Sequence, residues 1–262
     1  MLKVEFLGIP YSGKSFYQND LLKTLKINGV NVQDYKQNFT SNINHVYKLN
    51  ILEKLIFFLL NKKKKKNNRI KILNSQKKVS KINSFIYSIQ NNIKIKIFKD
   101  FESENQNLES LIKDYKRNTG LNSHRLGNIL GWYKDICVSH QILINLKDNN
   151  QIILDSEGFI HRLNSFILEE YNQNFIDLYL KYCPKPDILI FVDEKPEKCL
   201  QRMLEENNMD DVQKYQNNLD NFYINSKKIF NLVKDKTVKN FVINSDSYLS
   251  FKSEIINSII NK

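Results

Sequence analysis

Cysteine, proline and tryptophan are rare in this chain of 262 residues, which contains 3, 4 and 1 of them. Cys137, Cys183 and Cys199 are widely separated, and no C-x-x-C pair or histidine cluster accompanies them. This spacing excludes a dense disulfide framework and argues against a cysteine zinc site. We therefore expect three reduced thiols packed in the interior.

Long apolar runs are also missing. The longest candidate is LIFFLL at residues 55–60, which lies between Lys54 and a run of lysines. It is far shorter than the ~18 residues that a membrane span requires. The chain begins with the strand-like LKVEFLGI, which leaves no room for a charged and apolar secretory leader. These features predict a cytoplasmic protein without a membrane span.

Acidic residues are absent between Glu53 and Asp100, and the chain carries a net charge of +12. The positive charge is concentrated in NKKKKKNNRIKILNSQKK, residues 61–78. We interpret residues 61–82 as a solvated loop within a basic, mostly helical insertion at about 38–120. A polyanion-binding patch is the alternative. Nucleic acid is a less favoured partner, because the lysine-rich segment lacks the interleaved aromatic rings on which bases stack.

Glycine is scarce, with 7 residues, yet Gly8 and Gly13 stand five apart and are followed at once by Lys14 and Ser15. This is the G-x-x-x-x-G-K-[ST] pattern of a phosphate-binding loop, and it has the strand before it and the helix after it that the motif requires. The glycines let successive N–H groups face an anion, Lys14 reaches the β- and γ-phosphates, and Ser15 ligates Mg²⁺. The residues expected to bind ATP are Gly8, Ile9, Pro10, Tyr11, Ser12, Gly13, Lys14 and Ser15.

Strand and helix patterns alternate through most of the chain. The predicted strands lie near residues 2–9, 30–35, 152–154, 188–192 and 238–246. We also predict an irregular strand at NNIKIKIFKD, residues 91–100, and a long helix at about 212–235. Alternating strands and helices imply parallel pairing with crossover connections. The expected fold is therefore three-layer α/β with a parallel sheet of five strands, in a single domain that spans residues 1–262.

A second motif, Asp155-Ser156-Glu157-Gly158, follows the third predicted strand. Ligands of open parallel sheets bind at the carboxyl ends of the strands. An acidic side chain at this place can hold a Mg²⁺-bound water or accept a proton from an attacking hydroxyl. The alternative is an acidic turn that only caps the next helix. Read as D-x-x-G, the motif also fits the second signature of a GTPase.

The strings GIPYSGKS, IILDSEGFIHRL and PKPDILIFVDEKPEKCLQRM, in that order, resemble the thymidylate kinase-like branch of the P-loop nucleoside and nucleotide kinases. The resemblance covers roughly residues 1–36 and 125–262. It implies a P-loop NTPase fold with ATP and Mg²⁺ as cofactors and with Ser15 and Asp155 as metal ligands.

The same resemblance assigns roles to single side chains. It implies that Lys14, Asp155, Glu157 and Arg202 are catalytic, with Glu157 beside the acceptor and Arg202 at the start of a mobile lid. Asp34, at the end of the second strand, matches the place where related kinases keep an acceptor-binding carboxylate.

The chain departs from that branch at two places. After Arg202 the segment EENNMDDVQKYQ offers only Lys214, where the lid of the family supplies further arginines. Gly158 and Phe159 stand where thymidylate kinases have an arginine. Thymidine monophosphate is therefore not the acceptor that we expect.

Other residues are candidates for contact with an acceptor. Arg125 and Arg162 could grip an anionic or hydroxylated molecule, and His161 is a weaker candidate because a packed or solvated histidine is the more common case. Trp132 and Tyr133 could flank a base or sugar, although an aromatic pair at such a place is more often part of the core.

Together these patterns predict ATP-dependent phosphoryl transfer to a small-molecule substrate of the nucleoside, nucleotide or sugar type. A P-loop GTPase or nucleotide switch is the first alternative, but it needs an N-K-x-D element that FVDEKPE does not supply. A non-catalytic domain that binds nucleotide or polyanion is the second, and the arginine-poor lid supports it. A homodimer is compatible with the sequence.

Overall fold

The computed structural model describes residues 1–34, 91–146, 151–168 and 172–261. Among these, residues 1–34, 105–136, 151–168 and 172–261 form one compact unit, and residues 91–104 and 137–146 belong to a second. The lysine-rich loop near 61–82 and much of the insertion at about 38–120 lie outside the described residues, so those interpretations stay predictions. No described helix is long and apolar enough to cross a bilayer.

The first unit is built on five strands. They are β1 (Leu2–Leu7), β2 (Val32–Asp34), β3 (Ile152–Asp155), β4 (Ile188–Val192) and β5 (Lys239–Ile243). All described pairings are parallel, and the strand order is β2-β3-β1-β4-β5. The α/β class and the five-stranded parallel sheet are therefore confirmed, and β1 is the central strand.

Helices lie between the strands along the chain. They are α1 (Lys14–Ile27), α2 (Gln106–Asn118), α3 (Ser123–Leu146), α4 (Phe159–Ile167), α5 (Gln173–Tyr182), α6 (Pro196–Glu205), α7 (Met209–Tyr215), α8 (Leu219–Val233) and α9 (Tyr248–Ile260). A short 3₁₀ helix, Lys234–Lys236, follows α8, and residues 91–104 are also helical.

One hydrophobic core cluster lies on the face of the sheet where α1 and α9 pack. Leu2, Val4 and Phe6 of β1 belong to this cluster together with Leu21 and Leu25 of α1. Because side chains alternate along a strand, Lys3 and Glu5 of β1 point to the opposite face. The three cysteines are buried thiols, as the sequence predicts.

The irregular strand predicted at residues 91–100 is wrong, because these residues are helical. The alternation of isoleucines at 93, 95 and 97 suggested a strand. In the structure Ile93, Ile97 and Phe101 are buried, whereas Ile95 is 36% exposed. The buried residues are therefore four positions apart, which is the spacing of side chains on one face of a helix.

The long helix predicted at about 212–235 is interrupted. It is divided into α7 and α8, and the asparagines at 217 and 218 lie between them. The Asn218 N–H donates to the carbonyl of Tyr215 at 2.8 Å, which closes a turn. Asparagine competes with helix formation through such local turns.

Candidate functional site

The loop at residues 8–15, here called the glycine loop, joins the central strand β1 to α1. Its backbone takes left-handed values at Tyr11 (φ 60°) and Gly13 (φ 98°). A Cβ at Gly8 would lie 2.9 Å from the carbonyl oxygen of Val192 on β4. Both glycines are therefore required by the local geometry. Gly13 is required because of its backbone angle, and Gly8 because a neighbouring strand approaches it closely.

Lys14, the first residue of α1, folds back over the glycine loop. Its Nζ donates to the carbonyls of Gly8 at 2.9 Å and Ile9 at 2.7 Å, and its side chain is nearly buried. The ammonium group therefore lies inside the loop, where the amino end of α1 adds a partial positive charge. Loop and helix end together form an electropositive site that suits an anion.

A cavity of about 900 Å³ opens beside the glycine loop. The loop contributes Pro10, Tyr11, Gly13, Lys14 and Ser15 to its wall, and the turn after β3 contributes Ser156 and Glu157. The wall also contains Arg202, Glu206, Asp211 and Tyr215, as well as Phe16, Asp20, Tyr248 and Lys252, among others. This volume is at the upper end of the range of small-molecule sites, so the cavity has room for more than one small ligand.

The acidic turn, residues 155–158, contains Asp155 and Glu157, the two carboxylates that the sequence analysis assigned to the site. The structure places them in different surroundings. Asp155 is 3% exposed, and its Oδ1 accepts the N–H of Glu157 at 2.9 Å. Burial raises its pKa to about 6. Glu157 lines the cavity and forms an ion pair of 2.6 Å with Arg162, whereas Asp155 is not part of the described cavity wall.

Glu5 is a buried carboxyl that sequence reasoning missed. It stands opposite Asp155 in the β1–β3 register and is fully buried, and its Oε1 accepts the N–H of His161 at 2.8 Å. Burial and the neighbouring Asp155 raise its pKa to about 8, despite the charge of Lys3. The signal was present in the sequence, because an acidic residue inside an apolar strand such as KVEFL is unusual.

Gly158 packs directly against the carboxyl group of Glu5. A Cβ at Gly158 would lie 2.2 Å from Cδ of Glu5 and less than 3 Å from both carboxyl oxygens. The first turn of α4 can therefore approach β1 only because residue 158 has no side chain. This contact fixes the acidic turn, and with it Glu157, against the central strand.

Arg202 of α6 connects three parts of the site. Its Nη1 donates to the carbonyl of Tyr11 in the glycine loop at 3.0 Å, and its Nη2 pairs with Oε2 of Glu194 at 2.8 Å. Glu194 follows β4 and was not predicted as a site residue. Arg202 lines the cavity, and its guanidinium is held by these two acceptors.

The candidate acceptor residues are not brought together at the cavity. Asp34 accepts a hydrogen bond from Gln18 at 3.3 Å, and Arg125 lies in the first turn of α3; neither is part of the described cavity wall. Arg162 stacks over the ring of Trp132 at 5.4 Å, and Lys214 lies 5.7 Å from the same ring.

Tyr133, next to Trp132, belongs to the core. It is buried, and its hydroxyl donates to Oε1 of Glu109 at 2.7 Å.

Neither a protein-family model nor a curated protein matches this chain. The functional argument therefore depends on the geometry of the residues themselves.

Proposed function

We propose that this chain is a kinase-like phosphotransferase with a P-loop NTPase fold, which transfers a phosphoryl group from ATP to a small-molecule acceptor. The observation that carries the proposal is the glycine loop. It joins the central strand of a parallel sheet to a helix, encloses a buried lysine and opens into a large cavity.

The position of the glycine loop in the sheet supports the proposal. The chain passes from β1 to β2 and β3 on one side of the sheet and to β4 and β5 on the other. A parallel sheet opens a crevice at such a reversal of strand order, outside the carboxyl ends of its strands. The glycine loop follows β1 at this place, and the acidic turn follows the neighbouring β3.

The proposed role of Lys14 follows from its ammonium group, which now satisfies two loop carbonyls. Bound β- and γ-phosphates would be stronger acceptors for this ammonium group than neutral carbonyls, because their oxygens carry negative charge. Mg²⁺ needs only one or two protein ligands, because it keeps phosphate oxygens and waters in its shell. The Ser15 hydroxyl, on the cavity wall, fits that requirement. Asp155 does not line the described cavity, and its contribution is to hold the acidic turn by accepting the N–H of Glu157.

Glu157 is the proposed proton acceptor. The acceptor hydroxyl gives its proton to the Glu157 carboxylate, its oxygen forms a bond to the γ-phosphorus, and the bond from that phosphorus to the bridging oxygen of ATP breaks, which leaves ADP. Arg202 and Lys14 neutralise the charge that this transfer spreads over the phosphoryl oxygens. Positioning and charge neutralisation account for most of the catalysis in such reactions.

A non-catalytic nucleotide-binding domain is the second candidate. One observation favours it, namely that Arg202 is already paired with Glu194 and so has less to offer the transferred group. The two functions differ in product formation and not in nucleotide affinity.

The test is incubation of the protein with ATP, Mg²⁺ and a panel of nucleosides, nucleotides, sugars and sugar phosphates, with product mass as the readout. A kinase gives one product heavier by a phosphoryl group, and the Glu157→Gln variant loses it. ATP binding in calorimetry without any product supports the non-catalytic function instead.

A further inference from the structure

We infer that Tyr11 is a positioning residue that sets the affinity for ATP. Its hydroxyl group, held by Asn208 and Asp211, keeps the glycine loop in the conformation that receives phosphate. ATP is the ligand under the proposed function, on which this inference rests. Tyr11 thus acts through its contact with α7 and not through contact with the phosphates.

Residues 9–12 of the glycine loop form a β-turn with an unusual residue in it. The Ser12 N–H donates to the carbonyl of Ile9 at 3.2 Å, which places Pro10 and Tyr11 at the two central positions. Tyr11 has a φ of 60°. Proline followed by a residue with positive φ is the arrangement of a type II turn, whose third residue is normally glycine or asparagine. A tyrosine at this position therefore carries backbone strain.

The same turn determines where the positive charge of the loop lies. The Ile9 carbonyl, which accepts the Ser12 N–H, also accepts a hydrogen bond from Nζ of Lys14 at 2.7 Å. Beyond the turn the chain enters the amino end of α1, where backbone N–H groups suit an anion. If Tyr11 left its left-handed conformation, the Ile9 carbonyl and the loop N–H groups would change direction.

Three neighbours hold Tyr11 in this conformation. Its hydroxyl donates to Oδ2 of Asp211 at 2.8 Å and accepts the side-chain amide of Asn208 at 2.6 Å. That amide also donates to Oδ2 of Asp211 at 2.9 Å, so the three polar groups form a closed triangle. The Tyr11 carbonyl accepts from Nη1 of Arg202 at 3.0 Å. Side chain and backbone are therefore both fixed, and these hydrogen bonds offset the strain.

The partners of the Tyr11 hydroxyl are held in place by α7. Asn208 caps this helix, and its Oδ1 accepts the N–H of Asp211 at 3.3 Å. Val212 of α7 is buried in one hydrophobic cluster with Ile9 of the glycine loop, and Tyr11 packs against that cluster. Packing therefore holds α7 beside the loop without the hydroxyl, and loss of the hydroxyl frees the loop backbone.

Loss of these hydrogen bonds should reduce the share of protein molecules whose loop is ready for ATP. The strained turn relaxes in the free protein, and binding of ATP must restore it. The apparent affinity is then reduced by the fraction of molecules in the binding-competent conformation. A competent fraction of about one in ten weakens binding about tenfold, or by ~1.4 kcal/mol. A glycine at position 11 adopts positive φ without strain, so it keeps the loop competent without the hydroxyl.

Calorimetric titration with ATP and Mg²⁺ compares Tyr11→Phe, Tyr11→Gly and the wild type. Tyr11→Phe keeps the ring and the strain but loses the hydroxyl, and we expect about tenfold weaker binding. Tyr11→Gly loses the hydroxyl and the strain, and we expect binding within about threefold of the wild type. If Tyr11 only packed, or contacted the phosphates directly, glycine would do at least as much damage as phenylalanine. Thermal melting checks that each variant is folded.

Asp211→Ala tests the same contact from α7, with Asp210→Ala as its matched control. Asp211→Ala should weaken ATP binding about tenfold in the wild type and have no such effect in the Tyr11→Phe background, because both changes remove one contact. Loss of a negative charge beside the cavity would by itself strengthen the binding of anionic ATP, so a pure charge effect has the opposite sign. Asp210 lies in the same turn, is exposed and does not line the described cavity, so Asp210→Ala should bind like the wild type.

The outcomes separate this inference from the proposed function. Wild-type affinity of Tyr11→Phe, or binding by Tyr11→Gly as weak as that by Tyr11→Phe, overturns the inference and leaves the proposed function in place. Equal effects of Asp211→Ala and Asp210→Ala overturn the part assigned to α7. Folded wild-type protein that binds no ATP overturns the proposed function, and the inference with it.

Discussion

Gly158→Ala should destabilise the protein because it places a methyl group where Glu5 lies. The added Cβ would be 2.2 Å from Cδ of Glu5, far inside normal contact distance. Glu5 is fully buried and bonded to the N–H of His161, so it has no open space to enter. Overpacking of this kind costs about 1–3 kcal/mol, and loss of the His161 hydrogen bond costs about 1 kcal/mol more. We expect a net loss of ~2 kcal/mol in the free energy of unfolding after the gain of ~0.5 kcal/mol from a stiffer unfolded chain.

Urea denaturation measures this loss, and Gly131→Ala is the control. Gly131 lies within α3, and a Cβ there meets nothing within 4 Å, so the same substitution should stabilise by ~0.5–1 kcal/mol. A double-mutant cycle with Glu5→Ala assigns the cause. With the carboxyl removed, Gly158→Ala should cost almost nothing. If its cost is unchanged in the Glu5→Ala background, the proposed matching of Gly158 to Glu5 is refuted.

Three further predictions concern the same unit. Between pH 4.5 and about 8, Glu5 keeps its proton in the folded state and loses it in the unfolded chain. The free energy of unfolding should therefore fall as the pH rises through this range. Glu5→Gln should flatten this dependence, which urea titrations at several pH values measure. Glu157→Gln should lower the rate of phosphoryl transfer by ~10²- to 10⁴-fold with ATP affinity retained. Asp155→Asn should instead raise the Mg²⁺ concentration that every ATP-consuming reaction requires. Equal and small effects of both variants would show that residues 155–158 only cap a helix. Gly8→Ala should abolish ATP binding, because its Cβ would collide with the carbonyl of Val192 at 2.9 Å, and calorimetry checks this.

Local patterns predicted most of the described fold. The strands β1 and β4 are short apolar runs, and α1 begins at the lysine of the loop motif, so their positions follow from the chain alone. The helix at residues 91–104 was misread because isoleucines two apart and four apart coincide in IKIKIF. Only packing decides which of the two periods is used.

The sequence singled out some residues of the candidate site and missed others, because contacts between distant parts of the chain depend on packing. Part of the glycine loop lines one cavity together with Glu157 and Arg202, all of which the sequence singled out. The pairing of Glu5 with Asp155 and of Arg202 with Glu194 depends on strand register and on helix placement, which a single sequence does not specify. The link from Tyr11 to Asp211 joins residues 200 positions apart, and its formation follows from the fold and not from any local pattern.

The central claim is that the glycine loop binds the phosphates of ATP, and Lys14→Ala tests it most directly. Calorimetric titration with ATP and Mg²⁺ compares this variant with the wild type and with Lys26→Ala, which removes the same charge from an exposed position in the last turn of α1. The account predicts that Lys26→Ala binds like the wild type. It predicts that Lys14→Ala stays folded and loses about 2–3 kcal/mol of binding free energy, or ~100-fold in affinity. Equal affinities of Lys14→Ala and the wild type would contradict it.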